Sequence, residues 1–185
     1  MNKKILIGVS IIIVIILTAL FSNGSLAPKK EQLYQIFYLS NKNEAVEQVR
    51  FNNRDKGEKI AKIDNGENIP SDFLKKADVL WVDFEYLAQD KDKNLALSIN
   101  KTIDLNIPVI FMGEQLERNK IADCLDIKHA EGTDLKNTGE AILKGIKVNR
   151  TSKGYFFTDI YIGKEESKDE EQIYSGLADA SYSEI

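Results

Sequence analysis

Ala77-Asp78-Val79-Leu80-Trp81-Val82-Asp83-Phe84 and, about two dozen residues later, Pro108-Val109-Ile110-Phe111-Met112-Gly113 are the stretches whose reading decides the fold. Both are short, nearly continuous apolar runs of strand length, and Pro108 sits where the first residue of a strand need not donate to the ladder. Between them, from about Asp92 to Asn106, Leu95, Ala96, Ile99 and Ile103 recur at helical spacing, while Asp92, Lys93, Asn100, Lys101 and Asp104 are left for water. The whole reads as one βαβ unit. Parallel strands need a crossover of this length, and strands apolar on both faces predict a sheet covered on both faces.

Working outward, Gln32–Ser40 is rich in aromatic and branched residues and predicts a first strand. The segment from Asn41 to Phe51 fits a short helix capped by Asn41 or Asn43, with a strand from Ala45 to Phe51 as the alternative. Glu58–Asp64 alternates as an edge-near strand, and Ser71 caps a short helix that feeds the strand at Ala77. Beyond Gly113, a helix is expected over Gln115–Leu125, a loop over Asp126–Asp134 and a further helical piece over Leu135–Leu143. A hairpin follows, Gly145–Asn149 and Tyr155–Ile162, joined by the five residues Arg150–Gly154. A charge run, Lys164–Glu171, leads to a terminal helix over Gln172–Ala180. The expected architecture is α/β: a small, doubly wound, mainly parallel sheet with an antiparallel C-terminal hairpin.

The chain begins differently. Lys3 and Lys4 precede Ile5–Phe21, an apolar run of 17 residues without a charge. At about 1.5 Å per residue it spans roughly 26 Å, within the range of a membrane-spanning helix. Residues 1–27 are therefore expected to be a transmembrane helix acting as anchor, or a cleaved signal peptide, and residues 28–185 an extracytoplasmic domain. The run is longer than a typical signal core, which favours the anchor and a single-pass protein of the cell membrane with its C-terminal domain outside; secretion is the alternative. The Lys, Ile and Asn richness has a bacterial look. Residues 28–185 carry 23 basic and 29 acidic side chains, a net of −6, which argues against nucleic acid or anionic lipid as the main partner. One cysteine allows no internal disulfide, so the domain must be held by its core.

In layout, Ala77–Asp83 followed by Ile107-Pro108-Val109-Ile110-Phe111-Met112-Gly113-Glu114 resembles the middle of class I glutamine-amidotransferase-like domains, and the alternation over residues 32–127 is similar to the flavodoxin-like superfold. The resemblance implies a ligand crevice beyond the carboxyl ends of the strands. Those ends carry Ser40 and Asn41, Asp83 and Glu85, and Gly113 and Glu114. Asp83, Glu85 and Glu114 are the expected ligand-binding residues; three carboxylates on one rim could also hold a hard cation or act as acid and base.

Most other chemistry is excluded. An amidotransferase-like enzyme needs a nucleophile on the turn straight after a central strand, and Gly113-Glu114-Gln115 supplies none. Cys124 with His129 is the remaining pair for such a reaction, and Cys124 falls inside an apolar helical pattern. There is no glycine-rich phosphate loop and no zinc-type cluster, so neither a cofactor nor a catalytic residue is expected. The reading that remains is a non-catalytic membrane-anchored or secreted domain binding a small ligand or a cell-envelope partner at the rim. The alternatives are an amidotransferase-like or metal-assisted enzyme, and an accessory of an envelope or secretion system docking through the hairpin aromatics near Tyr155–Ile162.

Overall fold

The computed structural model describes residues 33–42, 46–53, 57–114, 116–128, 130–133, 141–163 and 169–182. The expected membrane-spanning run lies outside them, and among the described residues no helix is long and apolar enough to cross a membrane. The chain from Gln32 onward forms one compact unit. Its elements are β1 (Leu33–Leu39), β2 (Gln48–Asn53), β3 (Gly57–Gly66), a 3-10 turn (Phe73–Lys75), β4 (Val79–Asp83), α1 (Phe84–Leu87) and α2 (Asn94–Asp104). They continue with β5 (Val109–Met112), α3 (Arg118–Cys124), β6 (Ala130–Thr133), β7 (Ala141–Thr151), β8 (Gly154–Gly163) and α4 (Glu170–Tyr182).

The strands form one mixed eight-stranded sheet in the order β2-β3-β1-β4-β5-β7-β8-β6. Its centre is parallel: β1 pairs with β3 and β4, and β4 with β5. The βαβ unit is present, with Leu80 opposite Val109 and Asp83 opposite Met112. Antiparallel strands flank this centre, β2 on β3 at one side and β7 on β5 at the other.

Alternation along the strands divides the core into two layers. Leu80, Val82, Val109 and Phe111 face α2 and α3, meeting Ile99, Ile103 and Ile121. Val79, Trp81, Ile110 and Met112 face the opposite side, where α4 contributes Leu177 and Ala178. Every residue of β4 and β5 is buried, which is why neither strand alternates in the sequence. In α2, Ala96, Ile99 and Ile103 point inward as their spacing predicts. Asp90 satisfies its free N-terminal donors, accepting from Leu95 N at 2.7 Å and Ala96 N at 3.4 Å. Asn106, at φ 61°, ends the helix in the left-handed conformation that asparagine tolerates best among residues with a Cβ.

Several expectations are corrected. Of the two readings for the segment ending at Phe51, the helix gives way to the strand: β2 spans Gln48–Asn53, and Val49 and Phe51 alternate into the layer beneath α4. The expected cap at Ser71 leads only to a single 3-10 turn. Part of the expected loop after α3 is β6, which pairs parallel to β8 at the sheet edge. Ala141–Leu143 belong to β7 and not to a helix; residues 134–140 lie outside the described set. The hairpin turn is two residues, Ser152 and Lys153, since Thr151 already pairs with Gly154.

Candidate functional site

β3 lies on one side of β1 and β4 on the other, so the chain leaving β1 and the chain leaving β4 diverge at their carboxyl ends. Open α/β sheets bind ligands preferentially at such a switch point. β1 delivers Ser40 and Lys42 to it. Ser40 is buried, its backbone N–H donates to Gly66 O at 2.9 Å, and its Oγ accepts from the backbone N–H of Lys42 at 2.9 Å. Asn65 Nδ2 donates to Lys42 O at 2.6 Å, tying the same turn to the end of β3.

β4 delivers Asp83, which is 2% exposed and ends the strand as the N-cap of α1, accepting from Tyr86 N at 3.3 Å through Oδ1. Its other oxygen, Oδ2, lies 2.7 Å from Lys42 Nζ, and the Lys42 side chain is 61% exposed. The pair is thus an acid fixed in the sheet and a base reaching in from solvent. Burial pushes the Asp83 carboxyl up, but hydrogen bonds from Lys42 and with Glu85, the Lys42 charge and the Tyr86 N–H together hold it below the usual 3.8.

Glu85, the second residue of α1, accepts from Glu114 N at 3.0 Å and so bridges the ends of β4 and β5. Gly113 makes this approach possible: a Cβ there would stand 2.5 Å from Glu85 Oε1. Of the three expected residues, Asp83 and Glu85 therefore come together through their side chains, and Glu114 joins them through its backbone N–H. Lys42 was not among the expected binding residues; only the pairing of β1 beside β4 reveals that it meets Asp83. Among the described residues no group of three or more His, Cys, Asp or Glu is placed to hold a metal ion.

Asp83→Asn is expected to cost about 1.5–3 kcal/mol at pH 7, the scale of a hydrogen bond to a charged partner. The folded-state carboxyl titrates below its unfolded value, so the unfolded chain binds more protons in acid; the stabilisation is present above pH 3.8 and lost as pH falls through the lowered folded value. Urea unfolding of both proteins from pH 7 to pH 3 checks this, and a gap that stays constant throughout contradicts it.

The other candidates are placed as follows. Cys124 is free and packs against the cluster containing Val109 and Leu116; burial and the neighbouring Asp123 push its thiol up, away from the reactive thiolate. His129 lies outside the described residues. In the hairpin, Phe157 is 1% exposed and Ile160 and Ile162 are buried. Tyr155 leans on the α2 layer with the Arg150 guanidinium 4.7 Å above its ring, and the Tyr161 hydroxyl lies 3.4 Å from Asp159 Oδ2. A groove of about 370 Å³ runs over β1 and β3 beside the 3-10 turn. Its charged walls are engaged locally, Lys62 with Asp64 at 2.7 Å and Lys76 with Asp72 at 2.9 Å. The sequence matches no known family, and neither a curated protein nor a solved structure is significantly similar to it.

Proposed function

We propose that the chain is a membrane-anchored, non-catalytic domain of flavodoxin-like layout that binds a small amine-bearing ligand of the cell envelope at the rim formed by Asp83, Glu85 and Glu114. One observation carries the reading: a carboxylate buried at the switch point of the sheet is capped by a solvent-exposed lysine. A ligand ammonium can take the place of Lys42 Nζ against Asp83 Oδ2, preserving the charge pairing that the buried acid requires. Residues 5–21 hold the domain at the outer face of the membrane in this reading, and protease treatment of intact cells should digest it.

The binding is tested by following the melting of the full chain in detergent with spermidine, glucosamine and arginine amide, and with acetate and phosphate as anionic controls. A ligand at about one hundred times its Kd adds about 2.7 kcal/mol of stability. At least one amine should raise Tm by several degrees in the wild type and by less in Asp83→Asn. A response to the anions alone, or an equal response in Asp83→Asn, overturns the proposal.

A further inference from the structure

The two partners of the rim ion pair are each held in place without it. Asp83 is set by β4 and by Tyr86 N, which donates to Oδ1 at 3.3 Å; Oδ2 is the oxygen that meets Lys42. The backbone of Lys42 is fixed at both of its polar groups. Its N–H donates to Ser40 Oγ at 2.9 Å, and its carbonyl accepts from Asn65 Nδ2 at 2.6 Å. Ser40 is buried, and its own N–H donates to Gly66 O at 2.9 Å. The turn therefore keeps these bonds whether or not Nζ touches Asp83. What remains to rearrange is a four-carbon side chain, 61% exposed, whose ammonium lies 2.7 Å from Oδ2.

An acid fixed in the fold and a cation on a flexible stem make an exchangeable contact. The buried carboxylate needs a partner, but the fold does not dictate which ammonium supplies it. The stem gives the internal partner an advantage, because an attached ammonium is present at the local concentration of a short tether, about millimolar or higher. A ligand ammonium with nothing else to offer only reproduces the bond it breaks. Its apparent affinity falls in proportion to the fraction of molecules in which the carboxylate is uncovered.

We propose that Lys42 is a tethered competitor: it closes the ammonium subsite at Asp83 until a ligand displaces it, and so confines binding to amines that carry further polar or charged groups. The inference rests on the rim reading above and concerns the regulation of that site. A hydrogen bond between two charged groups leaves the subsite open in about one molecule in ten to one in a hundred, so removing Lys42 should tighten amine binding by about that factor.

The test is calorimetric titration of the full chain in detergent, as wild type, Lys42→Ala and Lys42→Arg. The probes are propylammonium, which has one ammonium and nothing more, tetramethylammonium, which has no N–H to donate, and spermidine, glucosamine and arginine amide. Propylammonium should bind Lys42→Ala at least tenfold more tightly than wild type, and tetramethylammonium should not discriminate between them. The larger amine that binds wild type best should gain by a similar factor in Lys42→Ala. It should lose severalfold in Lys42→Arg, because a guanidinium holds a carboxylate through two donors. Amines that bind wild type as tightly as Lys42→Ala overturn this inference and leave the rim reading standing. Amines that bind none of the three proteins overturn both. Should Lys42→Ala fail to fold, Lys42→Arg decides: binding as tight as that of wild type overturns the inference.

Discussion

Trp81→Ala should lower the unfolding free energy by about 3–5 kcal/mol, the usual loss for removing a large buried aromatic side chain. Against a total of about 5–15 kcal/mol for a domain of this size, that places the variant near the edge of folding. Trp81 is fully buried in the middle of β4 and joins the sheet to α4 in two ways. Its ring stacks on Tyr174 with centroids 5.7 Å apart and meets Tyr38 edge-on at 6.2 Å. Its Nε1–H donates to Ser181 Oγ at 3.0 Å, and that hydroxyl donates in turn to Leu177 O at 2.7 Å. Trp81→Phe keeps an aromatic ring against Tyr174 and drops only the bond and part of the volume, so about 1–2 kcal/mol is expected. Urea unfolding followed by far-UV circular dichroism measures both, since Trp81 is the sole tryptophan. A loss below about 1 kcal/mol for Trp81→Ala would show that α4 is not seated on β4.

The second large effect lies beneath the same helix. Lys147 is 4% exposed between Ile146 and Val148, and its Nζ donates to Ser181 O at 3.0 Å and Ala180 O at 3.5 Å. These carbonyls belong to the last turn of α4, where the helix dipole is negative and a cation is favoured. Lys147→Glu puts a carboxylate against them and is expected to cost about 3–5 kcal/mol, the scale of an uncompensated buried charge. The wild-type lysine has its own pH signature. Burial holds its ammonium below the usual 10.5, so between that lowered value and 10.5 the unfolded chain binds more protons than the folded one. The residue's contribution to stability therefore rises with pH across that window, and Lys147→Met should lack that rise. Chemical denaturation between pH 7 and pH 10.5 separates the two proteins; parallel curves would remove the buried ammonium from the account.

The legibility of the fold follows from what each segment is asked to bury. β4, α2 and β5 could be read because their patterns are local: two strands apolar on both sides, and a helix with Ala96, Ile99 and Ile103 on one stripe. β2 was ambiguous because Val49 and Phe51 fit one face of a strand, while Ala45, Val46 and Val49 fit a short helix; the layer under α4 decides in favour of the strand. β6, Ala130–Thr133, has no apolar pattern, and its place is fixed by hydrogen bonds to β8 that leave no trace in composition. The two-residue turn at Ser152 and Lys153 was hidden because Arg150, Thr151 and Gly154 read as loop residues although they pair as strand.

The same division runs through the candidate site. The sequence by itself determined that Asp83 closes a buried strand, that Glu114 follows another, and that a small residue, Gly113, stands between strand and loop, because these are properties of neighbours along the chain. Only the tertiary structure decided that Lys42, some forty residues earlier, reaches Asp83, that Glu85 closes over Gly113, and that Lys147 and Trp81 meet the last turns of α4. Such contacts depend on which strands lie side by side. That order is set by the summed burial of both sheet faces, to which each local pattern contributes only a part.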